Sequence, residues 1–113
     1  MDKQKYFNQI RNHLLRQKER AVWRGKCVFL NPKGLRCSIG IIIPLSHEAL
    51  ASDCSNVFKL TRRYPDLCTV WKAYHEDDLV FLSRLQHVHD KIKVEDWGRE
   101  LRLIAKEEGL LCV

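Results

Sequence analysis

The sequence lacks a hydrophobic segment long enough to cross a membrane. Its longest apolar stretch covers residues 39–45 and is interrupted by Gly40 and Pro44, whereas a membrane-spanning helix needs about 20 consecutive apolar residues. The residues that follow Met1 are mostly polar and charged, unlike the apolar core of a secretory signal. We therefore expect a cytoplasmic protein with no membrane partner.

Motifs that hold small ligands are also missing. The sequence has no glycine-rich phosphate loop and no carboxylate pair in a catalytic pattern. Its cysteines, at positions 27, 37, 54, 68 and 112, are spaced more widely than the roughly two to four residues typical of structural zinc sites. An odd number of cysteines in a reducing compartment favours free thiols, most of them buried. We expect no cofactor and no disulfide framework.

What the sequence does have is the composition of an ordinary globular protein. Its 113 residues are 45% apolar, 9% aromatic and 30% charged, with five glycines and three prolines. This balance excludes disordered, collagenous and low-complexity chains, and the length suits one hydrophobic core. We expect a single domain over residues 1–113.

The spacing of apolar residues predicts a mainly helical fold. Apolar residues recur every three or four positions over residues 3–20, 77–92 and 97–109, which indicates three amphipathic helices. The last two are expected to form an antiparallel pair. A shorter helix is predicted over residues 54–63.

A small hairpin is predicted in the first half of the chain. Residues 27–30 favour a strand, and the order Asn-Pro-Lys-Gly at residues 31–34 is typical of a type I turn, so residues 35–37 are expected to return antiparallel. Residues 38–43, which are rich in isoleucine, are predicted to be buried as either a strand or a helix. The predicted fold class is therefore α+β, mainly helical, in which a small β-hairpin and a buried Ile-rich segment are packed by an N-terminal helix and a C-terminal antiparallel helix pair.

Blocks spread along the chain resemble a family of small bacterial, phage and prophage proteins. The matching residues are Cys27, the block from Gly34 to Pro44, the block Leu-Gln-His-Val-His-Asp at residues 85–90, and Trp97. The resemblance implies a shared fold and a phage-like context, and it transfers no catalytic residue. Similar proteins usually carry an acidic residue directly after the proline, where this chain has Leu45.

Positive charge is concentrated in the N-terminal third. The net charge is +8 over residues 1–36, +1 over residues 37–75 and −3 over residues 76–113, which gives +6 for the whole chain. A cluster of this sign favours a phosphate backbone or an acidic protein surface as the partner. The candidate partner-binding residues are Arg16, Arg20, Arg24, Lys26, Lys33 and Arg36.

Two interpretations of this cluster stay open. In the first, which we favour, the chain is a non-enzymatic binding protein that presents these cations to a macromolecular partner, either an acidic protein surface or nucleic acid. Trp23 and Phe29 would then stack on bases if the partner were single-stranded. In the second, the cations lie on a solvated surface and pair with the acidic C-terminal third.

A different function class is a small enzyme or metal-binding protein centred on Cys37. Cys27, Cys37 and His47 offer thiolate and imidazole groups that zinc accepts as ligands. The two cysteines are also a candidate redox pair across the predicted hairpin. Cys37, His89 and Asp90 form a candidate set for nucleophilic catalysis.

The histidines near the end of the long C-terminal helix favour a structural role instead. His87 and His89 are two residues apart, so they do not share a helix face and do not chelate one ion. We expect His89 to be buried and bonded to the backbone or to Gln86, with His87 and Asp90 facing solvent. The sequence therefore predicts no metal site here.

Overall fold

Most of the chain is helical, as its apolar periodicity predicts. The computed structural model describes residues 1–53 and 56–112. Within these residues there are six α-helices and one two-stranded antiparallel sheet, which confirms the α+β, mainly helical class. The helices are α1 (Lys3–Gln17), α2 (Ser38–Ile42), α3 (Val57–Arg63), α4 (Asp66–Trp71), α5 (Glu76–Lys91) and α6 (Trp97–Glu108); the strands are β1 (Val22–Trp23) and β2 (Lys26–Cys27). Short 3₁₀ turns cover Glu48–Ala51 and Val94–Asp96.

Helix α1 packs on the core through one apolar stripe. Its N-terminus is capped by Asp2, whose carboxylate accepts the Lys5 amide at 3.0 Å. Phe7, Ile10 and Leu14 are fully buried against α2 and α6. The helix ends at Gln17 instead of near residue 20, because the next residue adopts a left-handed conformation.

Helices α5 and α6 form the predicted antiparallel pair. At one end, the rings of His89 and Trp97 lie 5.7 Å apart. At the other, Arg84 of α5 donates to Glu108 of α6 at 3.1 Å. Gly109 closes α6 with a φ of 70°, as the sequence predicts.

The Ile-rich segment is a buried helix, α2, whose N-terminus is held by its neighbours. Cys37 caps it, with the thiol sulfur accepting the Gly40 amide at 3.3 Å. Ser38 donates to the Leu85 carbonyl at 2.7 Å, and the Gln86 side chain accepts the Ile39 amide at 3.0 Å. Cys37 and Gln86 thus satisfy two free amides of the first helical turn, while the Ser38 hydroxyl anchors that turn to α5, which together favour helix over strand.

The predicted hairpin around residues 31–34 is confirmed in its turn and in its antiparallel return, but it is not the two-stranded sheet of the fold. The Gly34 amide donates to the Asn31 carbonyl at 2.9 Å, closing the predicted turn. Around it, Leu30 and Arg36 form an antiparallel bridge, and the Asn31 and Cys37 amides donate to the Leu35 and Phe29 carbonyls at 3.0 and 3.3 Å. The sheet lies earlier in the chain, where β1 and β2 flank a two-residue turn.

The predicted helix over residues 54–63 is confirmed in its C-terminal part. Helix α3 begins at Val57, and Asn56 caps it by accepting the Lys59 amide at 2.9 Å. Cys54 and Ser55 lie outside the described residues. None of the helices in residues 1–53 and 56–112 is long and apolar enough to cross a membrane.

Candidate functional site

The β1–β2 hairpin presents an aromatic ring and two cations at the surface. Arg24 and Gly25 form its turn with φ values of 52° and 78°, the positive pair that a type I′ turn requires. Trp23 and Lys26 are directly opposite each other in the register, so their side chains share a face. The Arg24 guanidinium lies 5.5 Å from the centre of the Trp23 ring.

The Asn31 side chain bonds the turn of residues 31–34 to this hairpin. Its side-chain oxygen accepts the amides of Lys33 and Leu35 at 3.0 and 2.9 Å. Its side-chain nitrogen donates to the Val22 carbonyl of β1 at 3.3 Å. The exposed Lys33 is therefore held on a turn that is bonded to β1.

Gln17 joins the end of α1 to the same region. Its side-chain oxygen accepts the Arg36 amide and its nitrogen donates to the Arg36 carbonyl, both at 2.9 Å. This pairing brings Arg16 and Arg36 onto adjoining segments. We call the resulting set the basic hairpin region; its members are Arg16, Trp23, Arg24, Lys26, Lys33 and Arg36.

Arg20 is not part of this region, which corrects its assignment as a partner-binding residue. Its guanidinium donates to the His89 carbonyl at 2.9 Å and also to the Ile92 carbonyl, at the C-terminal end of α5. A cation that caps the last carbonyls of a helix also interacts favourably with the helix dipole. Arg20 therefore holds the N-terminal third against α5 and is occupied inside the fold.

The five cations of the basic hairpin region are not neutralised within the described residues. None of them forms an ion pair there, and all except the half-buried Arg36 are exposed. The carboxylates at the end of α6 pair elsewhere: Glu107 with Arg84, and Glu108 with Arg84 and Lys3. Pairing with the acidic C-terminal third therefore does not account for the cations around the hairpin.

A polar cluster lies behind the hairpin, in a cleft of about 620 Å³. Asp90 is its centre, because its carboxylate accepts from Gln86 at 3.0 Å and from His89 at 2.6 Å, and the Cys27 sulfur lies within 4.8 Å of it. The prediction that Asp90 faces solvent is wrong, since its side chain is only 21% exposed. The signal in the sequence is the four-residue spacing of Gln86 and Asp90, which places both on one helix face.

His89 is buried and neutral in this cluster. A backbone amide only donates, so the Nε2 atom that receives the Ala21 amide at 2.9 Å carries no proton. The proton lies on Nδ1 and is donated to Asp90. This confirms the expected structural role and leaves neither ring nitrogen free.

Partial burial raises the pKa of Asp90, but the hydrogen bonds from His89 and Gln86 outweigh it, and the net pKa lies below the ordinary value. Burial, together with the neighbouring Asp90 charge, raises the pKa of the Cys27 thiol to about 11. Complete burial raises the pKa of the Cys37 thiol to about 12. Both thiols are therefore protonated near neutral pH and are weak nucleophiles.

The cluster is also poorly suited to a metal ion. Ligand atoms of Cys27, His89 and Asp90 lie within 4.8 Å of one another. Zinc binding at Nδ1 would move the imidazole proton to Nε2, against the Ala21 amide, and would require a thiolate at Cys27. His47, the third residue of the predicted zinc set, instead bonds Asp66 at 2.6 Å.

The four described cysteines are free thiols. Cys37 alone of these four is fully buried, Cys68 and Cys112 are partly buried and Cys27 is exposed, so the expectation that most are buried is wrong for the described cysteines. Phe29 is only 5% exposed. It is not available for base stacking, whereas Trp23 is.

Comparisons of this chain with protein-family models, with curated protein sequences and with solved structures found no match. The resemblance to phage and prophage proteins stays a prediction. In the described structure, the residues of the resembling blocks have structural roles. Cys37 caps α2, and a side chain at Gly40 would overlap the Phe29 carbonyl.

Proposed function

We propose that this chain is a small non-enzymatic accessory protein of the phage and prophage type. It binds an acidic macromolecule through the basic hairpin region and acts in the cytoplasm of its bacterial host. The observation that carries the proposal is a contrast within residues 1–53 and 56–112: the five cations around the hairpin form no ion pair there, whereas acidic C-terminal residues pair elsewhere. Unpaired surface cations attract polyanions and release counterions on binding.

The enzyme or metal-protein alternative receives less support from the same contacts. Catalysis by cysteine needs a thiolate, and the pKa of Cys37 is raised to about 12 by burial. Its sulfur is also occupied as the cap of α2. His89 has both nitrogens bonded, so it does not serve as a free base.

The test uses three defined polyanions: single-stranded DNA, duplex DNA and polyglutamate. The variant combines Arg24→Glu, Lys26→Glu and Lys33→Glu, and binding is measured by fluorescence anisotropy at about 0.1 M salt. Each lost phosphate contact removes roughly an eightfold factor in affinity at that salt. We expect the triple variant to bind its preferred polyanion more than about a hundredfold more weakly.

A matched variant controls for net charge. Lys59→Glu, Lys93→Glu and Arg102→Glu change the total charge by the same amount at exposed positions outside the region. This control should retain affinity within about threefold, because it leaves all five cations of the basic hairpin region in place and salt screens the remaining charges. Equal losses in both variants, or no binding of the parent protein to any of the three polyanions, would overturn the proposal.

A further inference from the structure

Trp23 is exposed, whereas the other two tryptophans are buried. Trp71 and Trp97 are at most 1% exposed, and each indole N–H donates to a backbone carbonyl, at 2.9 and 3.1 Å. Trp23 is 48% exposed on the open face of the hairpin. Because it is exposed, this ring is not used to build the core and is available for contact with a partner.

The backbone conformation of Arg24, the next residue in the hairpin turn, is unfavourable. A residue with a side chain at a φ of 52° is strained, and asparagine or glycine fits this turn position better. Lys18 and Lys72 also have positive φ values, but each ends a helix, where a cation is favoured by the dipole. Arg24 has no such compensation, and its guanidinium lies against the Trp23 ring.

Two cations share the hairpin with this ring, and a third lies on the adjoining turn. Lys26 is opposite Trp23 on the same face, and Lys33 lies on the turn that Asn31 bonds to β1. An exposed aromatic platform flanked by cations is the arrangement that binds single strands, because unpaired bases stack while phosphates meet the charges. A duplex hides its base faces, and an acidic peptide has no flat ring to stack on the indole.

We propose, on the basis of the function proposed above, that the macromolecular partner is single-stranded nucleic acid. Trp23 stacks on one unpaired base. Arg24, Lys26 and Lys33 contact the flanking phosphates. The cleft around Asp90 takes no part, because its carboxylate is occupied by donors from its own chain.

The first test compares Trp23→Ala and Trp23→Phe with the parent protein. The probe is a fluorescently labelled oligothymidylate of about 12 nucleotides, within the usual range of single-strand site sizes. Loss of one stacked base predicts an affinity loss of roughly fivefold to 150-fold for Trp23→Ala, and a smaller loss for Trp23→Phe. Tyr74→Ala, at another exposed aromatic residue, is the control and should bind as the parent does.

The second test uses Arg24→Asn, which suits the turn better and removes the charge. We expect an unchanged or higher melting temperature together with about fivefold weaker binding of the single strand at 0.1 M salt. Because this variant keeps the hairpin, weaker binding reports lost contact with the strand and not unfolding. Parent-like binding by Arg24→Asn would contradict the role assigned to Arg24.

A duplex of the same length and polyglutamate distinguish the outcomes. A preference of more than about tenfold for the single strand, lost in Trp23→Ala, supports the inference. A second outcome is equal binding of single strand and duplex that Trp23→Ala does not change but the triple Glu variant of Arg24, Lys26 and Lys33 loses. This outcome overturns the single-strand inference and leaves the proposed function intact. Binding of polyglutamate alone overturns it in favour of an acidic protein partner. Binding of none of the three overturns both proposals.

Discussion

Replacing Asp90 by asparagine tests whether the carboxylate is the centre of the polar cluster. Asn keeps one acceptor oxygen, loses the charge and places an amide NH₂ group next to the donors of Gln86 and His89. Hydrogen bonds to a charged group contribute about 1.5–3 kcal/mol each, and partial exposure to water offsets some of the loss. We expect the free energy of unfolding to fall by about 2 kcal/mol, which lowers the melting temperature by about 8 °C.

The effect of Asp90→Asn on stability should depend on pH in a predictable direction. Because the folded pKa of Asp90 lies below its ordinary value of 3.8, the ionised carboxylate stabilises the fold above that pH. The contribution is lost as the pH falls through the folded pKa. The difference in unfolding free energy between the parent and Asp90→Asn should therefore be largest near neutrality and shrink below about pH 3.8.

Urea unfolding followed by circular dichroism, near pH 7 and near pH 3, measures this difference. Asp53→Asn, at a side chain that is 99% exposed, is the control and should change stability by less than about 0.5 kcal/mol. A difference for Asp90→Asn below about 0.5 kcal/mol at neutral pH, or one that does not shrink on acidification, would refute the reasoning. As a second readout, Asp90→Asn should lower the pKa of the Cys27 thiol, which burial and Asp90 raise to about 11, and so speed its alkylation.

Two further predictions separate internal residues from surface ones. Arg20→Glu should lower the free energy of unfolding by about 2–4 kcal/mol through lost carbonyl contacts and dipole repulsion, whereas Arg16→Glu, at an exposed position in the last turn of α1, should lower it by no more than about 1 kcal/mol in the same denaturation assay. Gly40→Ala should cost more than about 3 kcal/mol because its Cβ would overlap the Phe29 carbonyl. Gly98→Ala, whose Cβ would lie 4.0 Å from the nearest atom, should be neutral or slightly stabilising. Equal losses of stability in Arg20→Glu and Arg16→Glu, or in Gly40→Ala and Gly98→Ala, would contradict the packing described for these residues.

The long helices could be predicted because their signal is local. The buried stripe of α1, formed by Phe7, Ile10 and Leu14, repeats at helical spacing within the segment itself. The same holds for α5 and α6, where Gly109 marks the end of α6. The predicted helix of residues 3–20 exceeded α1 because no local pattern marks the turn after Gln17.

The hairpin and the Ile-rich segment depend on signals that are weak or distant. Arg24 at a positive φ is an unusual type I′ turn residue, so the sequence showed a break and not a turn. Helix α2 is capped from Gln86, which is 47 positions away in the chain. The local helix propensity of residues 38–42 carries no information about that distant contact.

The candidate site could be predicted only in part. The basic character of the N-terminal third is a property of composition, but Arg16 and Arg20 look alike in the sequence. Only the fold places Arg20 against the end of α5 and leaves Arg16 in solvent. Burial of the Asp90 carboxylate likewise follows from where β2 packs, because Cys27 comes from that strand.

The salt dependence of binding tests the central claim most directly. Affinity for the single-stranded probe is measured over a range of salt concentrations for the parent protein and for the variant with Arg24→Glu, Lys26→Glu and Lys33→Glu. If these cations meet phosphates, the slope of log affinity against log salt should be shallower in the variant by about two units, near 0.7 for each lost contact. Equal slopes for the two proteins would contradict the claim that the basic hairpin region is the binding surface.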